Sequence, residues 1–295
     1  MKSTAMADNS VSVRLKDVVA LAKPQITFMV LCTTLGGLWI APGHLGVALV
    51  AATLAGVTLV VAGANALNMY LERDVDGLMT RTQNRPLPTG RMAPETALAF
   101  GLLWSALGVP LLTFAVNPLT GFLGALSIVL YVLAYTPLKR KTTAALLVGA
   151  IPGAMPPLLG WTAATGSLDK PGLALFLVMF LWQLPHFIAI SLFRASEYKR
   201  AGLKVLPAEC GVHGSKQRIV LYTLLLVAAS LQIVRLGVGG RFYPSAAYFL
   251  GAIFLGMAGW GLRTREPARD HRWAKRLFFY SLIYLPLLFV AMVIR

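Results

Sequence analysis

Long apolar runs separated by shorter polar stretches divide the chain into nine segments, roughly 25–41, 47–71, 94–116, 120–137, 143–164, 172–193, 219–238, 244–262 and 277–294. Most of these runs reach or approach the ~20 apolar residues that a helix needs to cross a bilayer. They are apolar on all sides rather than along one stripe, the pattern of helices surrounded by lipid and one another. In hydrocarbon a backbone must satisfy its own polar groups, and the helix does so within one segment. The pattern therefore predicts an all-α integral membrane protein with nine transmembrane helices.

Composition agrees. The 295 residues are 57% hydrophobic and 13% charged, against about half and a quarter in soluble domains, and the mean hydropathy is +0.70. The net charge of +16 invites a nucleic-acid reading, but its distribution argues against one. With nine spans and the N-terminus inside, 23 of the 27 Lys and Arg fall on the cytoplasmic side; only Lys170, Arg235, Arg241 and Arg295 fall outside. That asymmetry orients the chain, N-terminus cytoplasmic and C-terminus outside. Phosphate groups and anionic membrane lipid account for the charge, and no nucleic-acid partner is expected.

Cys32 and Cys210 are too far apart in this topology to pair. The N-terminal stretch lacks a signal peptide's apolar core and cleavage site, and Asp8 and Asp17 are foreign to a transit peptide. A bacterial inner membrane is the expected location. Residues 1–24 read as a cytoplasmic segment, with 11–22 able to form an amphipathic surface helix, ahead of one membrane domain over 25–295.

The predicted outside connections are short, whereas the inside stretches 72–93 and 194–218 are long, polar and basic, as functional loops are. They lie 125 residues apart, counted from 72 to 197, which suggests an internal duplication with each half supplying one polar loop. Three prolines in GAIPGAMPPLLGW (149–161) mark the fifth span, either as a kinked packing helix or as a cavity wall.

The principal candidate site lies where the second span ends. In NALNMYLERDVD, Asn68, Glu72 and Asp76 stand four residues apart; each step of four turns a helix about 400°, so the three side chains fan over about 80° of one face. Ionisable groups at a membrane boundary are costly to desolvate, and oxygen ligands on one face suit Mg²⁺, which usually arrives with a phosphate. The alternative is a helix end whose charges meet water, a description that fits Asp74 best. In the following loop, GLMTRTQNRPLPTGRM, Arg81 and Arg85 are candidate diphosphate ligands, because guanidinium forks bind phosphate at two points. Arg91 reads more readily as a topology charge.

Two further clusters follow. YTPLKRK puts Tyr135, Lys139 and Arg140 at the end of the fourth span, where a second diphosphate clamp competes with an ordinary helix-end charge cluster. PHFIAISLFRASEYKRAG puts His186 inside the sixth span and Arg194, Glu197, Tyr198 and Lys199 after it, with Arg194 a further candidate diphosphate ligand and Glu197 a single carboxylate that could help hold a second cation. His186 is open to two readings, a hydrogen-bonded core residue or a functional imidazole able to ligate a haem iron or accept a proton. GVHGSK (211–216) lacks P-loop spacing and is discounted.

The combination NxxxExxxD, DGLMTRTQNRPL, YTPLKR, GAIPGAMPPLLGW, WQLPHF and EYKRAG resembles the UbiA superfamily of membrane prenyltransferases, and its haem branch more closely. The likeness runs from Lys23-Pro24 to the last span. It implies nine helices around a central cavity, with Mg²⁺ and a prenyl diphosphate held at Asn68, Glu72 and Asp76, and Tyr135, Lys139 and Arg140 as a matching basic motif. It implies transfer of farnesyl from farnesyl diphosphate to the 2-vinyl group of haem B, giving haem O. Haem A synthase or terminal-oxidase assembly would then be expected associates. The superfamily's second Asp-rich motif is incomplete; Arg194, Glu197 and Tyr198 stand in its region.

Three rivals make different expectations. Transfer to an aromatic acid or quinone precursor sits poorly with WQLPHF. A CDP-alcohol phosphatidyltransferase needs a denser Asp pattern. A cation transporter needs carboxylates near the bilayer midplane rather than at its edge.

Overall fold

In the computed structural model, described for residues 14–43 and 45–294, the chain forms twelve α-helices and one π-helical segment, with no strand among the described residues. In order these are α1 (Leu15–Leu21), α2 (Pro24–Ile40), α3 (Val47–Asp76), α4 (Pro94–Ala115), α5 (Pro118–Val129), the π segment (Leu130–Tyr135), α6 (Thr136–Leu138), α7 (Ala145–Thr165), α8 (Lys170–Phe193), α9 (Ala195–Arg200), α10 (Leu206–Arg235), α11 (Tyr243–Gly261) and α12 (Pro267–Val293).

Among the described residues, seven elements are long and apolar enough to cross a membrane: α3, α4, the run Pro118–Leu138, α7, α8, α10 and α12. An eighth is added if α1 and α2, bent by 50° at their junction, count as one. The chain is thus a multi-pass membrane protein. Two of the nine expected spans fall short by this measure: α2 has 17 residues, or ~25 Å of helix against a core of ~30 Å, and α11 is diluted by glycine and tyrosine.

The helices pack in two groups. Against one core lie α8, α10, α11 and α12, around Leu184, Ile188, Phe254 and Tyr284. Against the other lie α3, α4, α5 and α7, around Val57, Leu112, Leu123 and Leu158. Helix α7 joins them, contacting α2, α5, the π segment and α8. Despite Pro152, Pro156 and Pro157 it runs unbroken, and every residue from Ala154 to Ala163 is buried. Pro156 and Pro157 thus lie inside the bundle, and Pro152 is half-buried. A side chain at Gly160 would collide with the Thr34 carbonyl and one at Gly37 with the Pro157 carbonyl, so α2 and α7 meet backbone to backbone, as small residues allow where lipid supplies no hydrophobic drive. Asn117 caps α5 through Thr120 N at 2.9 Å and Asp169 caps α8 through Gly172 N at 3.0 Å, each such cap contributing about 1 kcal/mol.

Two polar stretches differ from expectation. Most of 194–218 is helical: α9, then α10 from Leu206, broken only at Gly211 with φ 71°. Helix α12 likewise starts at Pro267, ten residues before its apolar run. The stretch after α3 does remain a chain of turns from Gly77 to Met92. It packs against the segment after α8: Val75 and Met79 bury themselves against Ala201, with Tyr198 and Leu203 alongside. Lys204 N also donates to the Lys139 carbonyl at 3.0 Å.

Candidate functional site

Helix α3 continues through Asp76 without a break, so the spacing of four holds to its end. Asn68, Glu72 and Asp76 are all buried, at 2%, 3% and 4% exposure, while Asp74 faces out. Neither helical propensity nor apolarity requires this of the helix end; what covers it is the rest of the fold. Helix α1 lies across α3 with Leu21 packed against Ala66, Met69, Leu87 and Met92. It is pinned to the turn region by Arg91, which donates to Asp17 at 3.1 Å and to the Asn84 carbonyl at 2.9 Å. Arg91 is thus a fastening to a buried carboxylate, a role that its reading as a topology charge did not include.

Most polar atoms on the face have a partner. Asn68 Oδ1 accepts from Lys23 Nζ at 3.0 Å, and its Nδ2 donates to Glu72 Oε2 at 3.0 Å and to Thr136 Oγ1 at 3.1 Å. Thr136 passes its own proton to the Tyr131 carbonyl at 2.7 Å, which leaves it an acceptor and fixes the amide's direction. Glu72 Oε1 is ion-paired with Lys139 but accepts no hydrogen bond. Asp76 Oδ2 accepts from Arg85 at 2.6 Å, and its carbonyl accepts from Thr82 Oγ1 at 2.7 Å. Three cations thus stand on two carboxylates and an amide.

Local backbone features put those cations there. Lys23 precedes a proline, where the right-handed helical region is sterically barred, and it takes φ 49°, ψ 69°, the one non-glycine residue with positive φ among those described. For an L-residue that costs about 1–2 kcal/mol, and such strain concentrates at functional sites. Lys139 follows the π segment, a widened turn of the kind found at functional positions. Tyr131 and Tyr135 stack across it at 5.5 Å, and Lys139 lies 5.5 Å from the centre of the Tyr135 ring. Gly149 on α7 makes room for that ring, since a Cβ there would come within 2.5 Å of it.

The remaining candidates divide. Arg140 and Lys199 are exposed. Arg194 pairs loosely with Glu197 at 3.4 Å. Arg81 and Arg194 line a separate cavity of about 220 Å³ with Lys275 and Phe278. His186 is buried on α8, stacked on Trp182 at 4.8 Å and against Phe278 at 4.8 Å, with Nδ1 2.8 Å from Ser281 Oγ. Ser281 donates to the Phe278 carbonyl at 2.6 Å, so Nδ1 must donate to Ser281 and Nε2 keeps its lone pair. Sequence reasoning missed Lys23, Thr136 and Lys275. A basic residue directly before Pro24 at the mouth of a span was the available signal for the first.

Among the described residues no cluster of three or more His, Cys, Asp and Glu could hold a metal. The donor set is instead two carboxylates and an amide, all hard oxygens. Glu72 Oε1 is buried with Lys139 as its ion-pair partner and no hydrogen bond, and Asn68 Oδ1 keeps a second lone pair beside Lys23. This set fits Mg²⁺, which keeps several waters and binds through one or two carboxylates plus phosphate oxygens.

An oxygen-lined face ringed by cations, buried at one end of a membrane helix bundle, defines a site for an anionic, membrane-soluble substrate. Residues 30–283 match the UbiA prenyltransferase family, and the chain belongs to that family: it is a membrane-bound prenyltransferase. It is similar to the protoheme IX farnesyltransferase of Sorangium cellulosum strain So ce56, at 53% identity over 90% of this chain and 99% of that one. The Myxococcus xanthus strain DK1622 protoheme IX farnesyltransferase is 49% identical over 94% of this chain and 93% of its own. In fold it resembles a solved digeranylgeranylglyceryl phosphate synthase, with a TM-score of 0.82 at 18% identity, covering 95% of this chain and 97% of that one. It also resembles a UbiA homologue from Archaeoglobus fulgidus bound to GPP and Mg²⁺, with a TM-score of 0.65 at 14% identity over 94% and 100% of the two chains.

Proposed function

We propose that this protein transfers the farnesyl group of farnesyl diphosphate to the 2-vinyl group of haem B, with addition of water, giving haem O. The relatives' shared activity, at up to 53% identity over most of the chain, supports the substrates. The observation that carries the mechanism is the buried face of Asn68, Glu72 and Asp76 with Lys23, Arg85 and Lys139 seated on it.

Asn68, Glu72 and Asp76 would hold Mg²⁺, as the donor set fits. Bound there, the ion supplies positive charge next to the leaving diphosphate. With Lys23, Arg85 and Lys139 seated on them, these residues would hold a divalent ion well only when a diphosphate is there to take up the cations. Arg85 and Lys139 then exchange carboxylate partners for phosphate oxygens, with Tyr135 beside them and Arg140 at the rim. Lys23 keeps the Asn68 amide aimed. The C1–O bond breaks with its electron pair leaving on diphosphate. The allylic cation is captured by the vinyl π electrons, and water adds to the resulting cation and gives its proton to the departed diphosphate, completing the hydroxyethyl side chain. Preorganised charge at a leaving group is often the largest catalytic contribution, and the apolar surroundings keep water from the cation. No enzyme nucleophile is needed. The second polar region, Glu197, Tyr198 and Lys199, flanks the first, with Tyr198 packed beside Val75 and Met79, and His186 Nε2 would contact the acceptor's iron.

In this reading the chain makes nine crossings around a central cavity in the bacterial inner membrane, N-terminus inside, with residues 1–24 on the cytoplasmic surface and 25–295 as one domain. Haem O would pass to haem A synthase or terminal-oxidase assembly, either of which could associate with the protein. The test is a competition: purified protein in lipid, farnesyl diphosphate and Mg²⁺, offered haem B together with 4-hydroxybenzoate. Mass spectrometry should find farnesyl on haem alone; a farnesylated benzoate would move the assignment to a quinone pathway.

A further inference from the structure

The cavity beside the acid face has a composition the transfer of a diphosphate does not require. Arg81, Arg194 and Lys275 bring three cations to it, and Phe193, Phe278 and Phe279 form its walls. None of Asn68, Glu72 or Asp76 lines it. Neither Arg81 nor Lys275 has an ion-pair partner among the described residues, and Arg194 is held only by the 3.4 Å contact to Glu197. The aromatic wall is continuous with the buried histidine: Phe193 and Phe278 meet at 5.5 Å, and Phe278 and His186 at 4.8 Å.

We propose that this cavity receives the carboxylate side chains of the macrocyclic acceptor, with Lys275 as a specificity-determining residue. The proposal rests on the haem reading above. An acceptor with a flat apolar body and carboxylates along one edge needs cations and aromatic surface in one place. A diphosphate needs cations beside hard oxygen ligands, and Asn68, Glu72 and Asp76 are not part of this lining. Size agrees. At about 220 Å³ the cavity is below the ~300–1,000 Å³ of sites that enclose a drug-sized ligand, so it takes the edge of a macrocycle rather than the ring. The ring then lies along Phe278 toward His186. Arg194 follows His186 by eight residues, a rise of ~12 Å along a helix axis, on the scale of the distance from a porphyrin centre to its carboxylates. Guanidinium forks and an ammonium suit two carboxylates near a membrane surface.

The test titrates haem B and its dimethyl ester into wild-type protein and Lys275→Ala, without prenyl donor, following the Soret band. Lys275 is exposed, and its removal leaves the fold intact. Wild type should bind the ester roughly five- to tenfold more weakly than haem B, the size of one or two solvent-screened ion pairs. Lys275→Ala should weaken haem B binding by a similar factor, lose most of the discrimination against the ester, and keep its KM for farnesyl diphosphate. A raised KM for farnesyl diphosphate with unchanged haem affinity would make these cations diphosphate ligands and overturn the proposal. Unchanged values for both would leave a charge for lipid headgroups and overturn it equally. Haem binding without any farnesyl adduct in the wild type would instead strike the proposed reaction, and the ester titration would still decide the cavity.

Discussion

Lys23→Asn separates the site's catalytic work from its contribution to folding. Lys23 spends backbone energy to be where it is: φ 49°, ψ 69°, at a cost of about 1–2 kcal/mol for an L-residue. Asparagine visits that region more readily and recovers part of the cost. The substitution removes a hydrogen bond to Asn68 Oδ1 at 3.0 Å, worth about 1.5–3 kcal/mol when one partner is charged. It also frees the fold from desolvating an ammonium, which costs several kcal/mol. These contributions oppose one another, so stability should move by no more than about 1–2 kcal/mol. Catalysis has no such offset. The variant loses one preorganised positive charge and the aim of the Asn68 amide, and deleting one such group typically costs 10²–10³ in kcat, about 2.7–4 kcal/mol. The assay pairs initial rates of haem farnesylation with thermal unfolding of the same purified sample. A rate within about threefold of wild type would refute the reasoning, as would a rate loss that tracks loss of folded protein.

Two other perturbations follow from the same geometry. Lys216→Met should destabilise the protein by about 3–5 kcal/mol in thermal or denaturant unfolding. Lys216 is nearly inaccessible and donates to Asp270 at 2.6 Å and to the Thr264 carbonyl at 2.8 Å, and Lys216→Met with Asp270→Asn should recover part of the loss. Gly149→Ala should cut turnover by roughly 10–100-fold with a smaller effect on folding, because the new Cβ pushes the Tyr135 ring and small displacements at a site are expensive in rate; steady-state kinetics on the folded variant would show it.

How much of this was legible depends on what each signal measures. The face of Asn68, Glu72 and Asp76 could be read because helix periodicity alone places residues four apart together, and it also set Asp74 on the outside. Arg91 was legible as a charge but not as the partner of buried Asp17. Helix ends were not legible. Hydropathy marks where lipid contact stops, and α10 and α12 carry on past that limit through Pro207 and Pro267 into polar sequence. The π segment has no periodic signature over its six residues. Lys216 was set aside within GVHGSK because a phosphate-binding motif was the question asked of it, whereas its partners Thr264 and Asp270 lie 48 and 54 residues away. The division of arginines, with Arg85 on Asp76 and Arg81 beside Lys275, likewise depends on packing between distant helices.

The central claim is that Asn68, Glu72 and Asp76 accept a divalent ion together with a diphosphate, displacing Arg85 and Lys139 onto the phosphates. Equilibrium binding of a non-hydrolysable farnesyl diphosphate analogue, with and without Mg²⁺, to wild type and Asp76→Asn tests it most directly. Wild type should bind the analogue tightly only when Mg²⁺ is present, and chelation should reverse the binding. Asp76→Asn should lose that dependence and bind at least tenfold more weakly. Equal affinity and equal Mg²⁺ dependence in the two proteins would contradict the account.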